Sequence, residues 1–122
     1  MMEETDRLAC RRGLERRYEE ELAAIERERL DLIERVRPAG AALRALGARE
    51  VFLFGSILRP NFFDRASDID ILVVGIPDEA LLKALGALER ATGIVERELN
   101  LVFDRMAPES LVDEARRAGL PL

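Results

Sequence analysis

The sequence contains no histidine. That removes every Ser-His and Cys-His nucleophile pair and every His-ligated metal site. Cysteine occurs once, at Cys10, so no disulfide can form within the chain. A single thiol fits a reducing cytoplasm, and a chain of this length buries enough surface to fold without cross-links. The first residues include Glu3, Glu4 and Asp6, where a secretory leader needs a basic start and an apolar run. Long apolar runs are also missing. The best of them, around residues 69–76, is far shorter than the roughly 20 residues that span a bilayer. Lysine occurs once, at Lys83, beside 18 arginines. With 19 basic and 24 acidic side chains the formal net charge is -5. Nothing in that balance draws phosphate backbones in from a distance, which argues against general nucleic-acid binding.

What is present is 122 residues, the length of one globular domain, with no repeat and no low-complexity tract. Composition divides the chain. Residues 1–37 carry nine arginines and eleven acids, and residues 38–122 hold nearly all the strand-like sequence. The expected organisation is an N-terminal helical extension, 1–37, followed by a domain, 38–122.

In the first segment Leu14, Tyr18, Leu22, Ile25, Leu32 and Val36 form one apolar helical stripe, interrupted by Arg29. Residues 5–14, with Arg11, Arg12 and Gly13, are expected to fray. Charge pairing alone does not account for this helix, so it should pack on something. Two readings stand: a solvated helix lying on its own domain, or a docking helix for a second subunit. A helix of 30 residues is about 45 Å long and overhangs a small domain.

Pro38 breaks this helix and opens another through Ala39–Leu46, which Gly47 ends. Glu50–Phe54 is a strand, and its continuous apolar run suits burial on both faces. A turn-rich loop with Pro60, Asn61 and Asp64 leads to a second strand, Asp68–Val74. A helix over Asp78–Ala91 ends at Gly93. A third strand covers Glu96–Phe103, and a last helix runs from Pro108 to about Ala118. Strands alternating with helices over one sheet make an α/β layer architecture.

Two short motifs carry chemistry. Gly55-Ser56 closes a buried strand. A glycine there permits a sharp turn, and exposed N–H groups beside a serine hydroxyl form a phosphate cradle. Alone, the pair equally describes an ordinary strand-to-loop turn. Asp68 and Asp70 stand two apart on one strand face and repel unless a cation lies between them. Hard oxygen ligands of this kind suit Mg²⁺, which binds through a few carboxylates and substrate phosphates. The plainer reading is a solvated strand end with Ser67-Asp68 capping a turn. Together the motifs set a phosphate cradle opposite a metal-ligand pair, the requirement of metal-assisted phosphoryl or nucleotidyl transfer.

At Phe54-Gly55-Ser56-Ile57-Leu58-Arg59 and Ser67-Asp68-Ile69-Asp70-Ile71-Leu72-Val73 the sequence resembles the minimal nucleotidyltransferases of the DNA polymerase β-like superfamily. Arg59 also matches that family's basic position. The resemblance covers about residues 39–118. It implies a small mixed sheet of about three strands flanked by helices, here with a long N-terminal helix. It implies that Gly55, Ser56 and Arg59 bind the triphosphate of an NTP, usually ATP. Asp68 and Asp70 would hold Mg²⁺, and AMP would pass to an acceptor hydroxyl. It further implies pairing with a HEPN-domain protein as the antitoxin of a toxin–antitoxin module; self-association is the other expected partnership.

Two departures from the family pattern matter. Eleven residues separate Ser56 from Asp68 where ten are usual, a change that a surface loop absorbs. That loop carries Phe62 and Phe63, both expected to tuck onto the core. More serious is the third carboxylate, which the family places on the next strand and which helps activate the acceptor. Here Leu99, Leu101 and Phe103 form the core face of that strand, and Glu98, Asn100 and Val102 form the other. The position matching the third acid is Asn100. Asparagine offers a carbonyl oxygen but no charge and no useful proton acceptor. Glu98 substitutes only in a register shifted by two residues, and Asp104 lies beyond the strand end.

Two functions follow. One is a Mg²⁺-dependent nucleotidyltransferase. The other is a nucleotidyltransferase-fold binding module that has lost its third acid and docks a HEPN-like partner. The stripe of residues 14–36 is too short and broken for a coiled-coil assembly protein. No further domain for an acceptor is expected beyond the third strand and last helix, so the acceptor site is expected to be shared with another chain or a second copy.

Overall fold

The computed structural model describes residues 3–122. Helix α1 (Glu4–Val36) is continuous over 33 residues, about 50 Å at 1.5 Å per residue. Residues 5–14, expected to fray, are helical in it. Glu4 and Asp6 lie in its first turn, where their charge suits the helix dipole, and Gly13 is a lone weak point. The apolar stripe has two fates. Leu32, Ile33 and Val36 are buried, while Leu14, Tyr18 and Leu22 on the same side of the helix are exposed. One residue, Arg37, separates α1 from α2 (Pro38–Ala45), which Pro38 opens at its first position.

The sheet contains β1 (Glu50–Phe54), β2 (Ile69–Val74), β3 (Leu99–Phe103) and β4 (Leu120–Pro121), in the order β3-β2-β1-β4. β1 runs antiparallel to β2, with Phe54 opposite Asp70. β2 runs parallel to β3, with Asp70 opposite Asn100. The crossover between those two is α3 (Leu81–Thr92), entered through a 3₁₀ turn and closed by Gly93 in the left-handed conformation, φ 63°. The architecture is therefore a mixed α/β sheet flanked by helices, with a long N-terminal helix. It has one strand more than the sequence suggested. β4 is only two residues long, and Pro121 in it and Gly119 just before it read as helix stops rather than strand. Proline is tolerated there because β4 is an edge strand with one neighbour, β1. The third strand also begins at Leu99, three residues later than Glu96.

Both faces of the sheet are covered. Val51, Leu53, Ile69, Ile71 and Val73 share a core with Leu32, Val36, Leu43 and Leu88 from the first three helices. Leu99, Leu101 and Phe103 pack against that core, as their alternation predicted. On the opposite face Leu72 and Val74, with Phe52, Phe54 and Val102, meet Val112 and Ala115 of α4 (Glu109–Ala118). This second face explains why β1 and β2 read as continuous apolar runs. By strand alternation Asp70 and Asn100 belong to the α4 face, at the sheet end where β1 leaves and β2 and β3 enter.

Candidate functional site

The turn after β1 is shaped by one glycine. Gly55 has φ 87° and ψ -156°, a region closed to residues with a Cβ. A Cβ at Gly55 would also stand 2.5 Å from Oδ2 of Asp70. The missing side chain thus does two things: it permits the turn, and it lets the Asp70 carboxylate lie against the turn's backbone. Ser56 then begins a single 3₁₀ turn, Ser56–Leu58. Leu58 N–H donates to Gly55 O at 3.1 Å and Arg59 N–H to Ser56 O at 2.9 Å.

Asp68 and Asp70, on the far side of the loop, point at a common atom. Asn100 Nδ2 donates to Asp68 Oδ2 and to Asp70 Oδ1, each at 3.2 Å. The asparagine amide therefore occupies the gap between the two carboxylates and offsets their repulsion. Burial pushes the Asp70 carboxyl above its ordinary range; the Asn100 hydrogen bond opposes this, and the nearby Asp68 adds to it. Among the described residues no group of three acidic or cysteine side chains lies close enough to share a metal ion. Glu98 is exposed just before β3, and its backbone carbonyl accepts from Ile69 N–H at 2.9 Å. Asp104 sits past the opposite end of β3, where Oδ1 accepts from Gly75 N–H at 3.3 Å. Neither joins the pair.

Arg59 makes no ion pair with either carboxylate among the described residues. It is exposed, and its guanidinium stacks 4.1 Å from the centre of the Phe62 ring. Phe62 is itself exposed, contrary to expectation, because Arg59 covers its ring instead of the core. Phe63 does enter the core. Between this loop and α4 runs a cleft of about 500 Å³, lined by Gly55, Leu58 and Arg59 on one side and by Ala115, Ala118 and Gly119 on the other.

Two arginines fix the loop from behind, and neither was singled out from sequence as a site residue. Arg29 is buried; it donates to Ile57 O at 2.8 Å and holds both oxygens of Glu26 at 2.7 and 2.9 Å. The only signal for it was the break it makes in the apolar stripe. Arg97 donates to Asp64 O at 2.6 Å, to Ser67 O at 2.8 Å and to Glu28 of α1 at 3.0 Å, with its guanidinium 4.5 Å above the Phe63 ring. Asp64 completes the loop: its Oδ1 accepts from Ala66 N–H at 2.9 Å and from the Ser67 hydroxyl at 3.2 Å. This turn delivers Asp68 to the start of β2.

A glycine turn closing one strand, two carboxylates converging on its neighbour and a mixed sheet behind both coincide with a family-model match over residues 40–116, described as "Nucleotidyltransferase domain". The match covers well over half of the chain. The chain belongs to the nucleotidyltransferase domain family. No curated protein matches it in sequence. The general function of a nucleotidyltransferase domain is nucleotidyl transfer, with a nucleoside triphosphate as substrate. The matched span includes Gly55, Ser56, Arg59, Asp68, Asp70 and Asn100. It begins at Gly40, so α1 lies outside it. The buried apolar residues of α1, Leu32, Ile33 and Val36, nevertheless belong to the domain's core. Among the described residues no helix is long and apolar enough to cross a membrane.

Proposed function

We propose that this nucleotidyltransferase moves a nucleoside monophosphate, AMP from ATP, to a hydroxyl acceptor, using Mg²⁺ held by Asp68 and Asp70. One observation carries the reading: Asp68 Oδ2 and Asp70 Oδ1 converge on a single point, the Nδ2 atom of Asn100, beside the Gly55-Ser56 turn. Two anionic oxygens this close together form a hard donor set; an ion between them would take the place that the Asn100 amide N–H groups now hold, and its remaining ligands from phosphates and water. When bound, Mg²⁺ would neutralise charge on the triphosphate and its leaving pyrophosphate. Gly55 exposes backbone to the phosphates, the Ser56 hydroxyl donates to a phosphate oxygen, and Arg59 offers a guanidinium at the mouth of the cleft. Asn100 orients the two aspartates. It takes no proton from the acceptor, so that proton leaves to solvent or to a group brought by the acceptor.

Asn100 also supports a second reading. Where three acids normally share the work, a neutral amide weakens both metal binding and base catalysis. The chain would then act as a binding module that docks a helical HEPN-domain partner, as the antitoxin half of a pair. Residues 1–37 would be a helical extension of the domain in 38–122, and the single Cys10 thiol suits a reducing cytoplasm.

Incubation with α-labelled ATP, Mg²⁺ and candidate acceptor proteins tests the first reading. Label transferred by the wild type and lost in Asp70→Asn supports the enzyme. Stable complex formation without transfer to any acceptor supports the module instead.

A further inference from the structure

We infer that the free half of α1 is a self-pairing surface, on which a second copy of this chain lies antiparallel, crossing at the turn between Leu14 and Tyr18. The inference is independent of the catalytic reading. It starts from the two fates of one stripe. The side of α1 that buries Leu32 and Val36 continues through Leu22, Tyr18 and Leu14, which are 48 %, 65 % and 58 % exposed. The helix remains regular from Glu4 onward, yet Arg29 is the first buried residue along it. Helices in proteins owe most of their stability to the packing of an apolar face rather than to propensity, so a regular unpacked half with an apolar stripe needs a cover.

Charge selects the cover. Residues 7–17 hold five arginines and one glutamate, whereas residues 19–28 hold five glutamates and one arginine. The helix is therefore a basic block followed by an acidic block, with the exposed apolar turn at the junction. A parallel copy would set arginine on arginine and glutamate on glutamate. An antiparallel copy sets each block on its opposite. With the crossing centred near Arg16, Leu14 comes level with the partner's Tyr18, and Arg11 and Arg12 come level with the partner's acidic turn at Glu19–Glu21. Within the chain these groups are only partly used: Arg16 reaches Glu20 at 3.8 Å and Glu21 pairs with Arg65 at 2.5 Å, all of them largely exposed. Arg7, Arg11, Arg12 and Arg17 make no ion pair among the described residues. This is a short crossing of two helices, held by matched charge and a few apolar contacts, rather than an extended coiled coil.

Sedimentation equilibrium of the full chain tests it. The wild type should be a dimer that weakens as salt rises. Arg11→Glu combined with Arg12→Glu turns attraction into repulsion at both ends of the crossing, and should weaken association about tenfold or more. Adding Glu20→Arg and Glu21→Arg, the positions level with residues 12 and 11, restores opposite blocks and should restore the dimer, which also shows that the reversed helix folds. A monomeric wild type at tens of micromolar overturns the proposal. So does a dimer indifferent to the first pair of reversals, or one that the second pair fails to restore.

Discussion

At the scale of single residues, the site depends on Gly55 and on the Asp68–Asn100–Asp70 contact. Gly55→Ala imposes a backbone conformation that alanine avoids and drives its methyl group into the Asp70 carboxylate. It should destabilise the protein by about 2 kcal/mol or more, measured by urea unfolding. A loss of a few tenths would show that the turn relaxes freely. Asp70 supports a pH prediction. Its folded pKa is raised, chiefly by burial, so ionisation is less favourable in the folded than in the unfolded chain. The stability tied to this group is fully present below the ordinary carboxylate range, about pH 4, and is lost as pH rises through the raised value. In metal-free buffer Asp70→Asn removes that loss. Its melting temperature should therefore gain on the wild type as pH rises from about 4 toward neutrality. A difference between the two that stays constant with pH contradicts the assignment of strain to the Asp70 charge.

At the scale of elements, the loop between β1 and β2 is held from behind by α1. Arg29→Ala leaves Ile57 O without its donor and unpacks the stripe at its one polar member. A loss of about 2 kcal/mol is expected by chemical denaturation. The Gly55–Leu58 turn should loosen with it, seen as faster amide exchange there than in α3. Equal exchange in both places would make Arg29 merely a packing residue. The elements also show what the sequence can and cannot convey. β1, β2 and α3 were legible because apolar runs, helical spacing and terminal glycines act locally. The face that Asn100 takes was legible as well, since the alternation of Leu99, Leu101 and Phe103 leaves it only one; its place opposite Asp70 was not, because Glu98 shares that face two residues earlier. β4 was not. Two residues carry no periodicity, and their pairing depends on where α4 ends in space. Arg97 was hidden for a related reason: its partners Glu28, Asp64 and Ser67 are distant in sequence, and an arginine beside a glutamate looks like any exposed pair.

At the scale of the whole molecule, the charge of -5 is distributed unevenly. Part of it is a carboxylate pair that a cation would neutralise, and part is the acidic block of α1 that faces a basic one. The first concerns phosphate chemistry and the second concerns assembly, so the two respond to different reagents. Salt should weaken helix pairing, and the carboxylate pair should respond to Mg²⁺ together with nucleotide. The central claim is that Asp68 and Asp70 form a Mg²⁺-nucleotide site beside Gly55-Ser56. Thermal unfolding with millimolar Mg²⁺ and ATP tests it most directly, because a ligand that binds only the folded chain raises the melting temperature. The wild type should melt several degrees higher, about 3 kcal/mol of stabilisation if ATP is present at 100 times its dissociation constant, and Asp70→Asn should not respond. A wild type that melts unchanged with every nucleoside triphosphate, or an Asp70→Asn variant that gains as much as the wild type, contradicts the account.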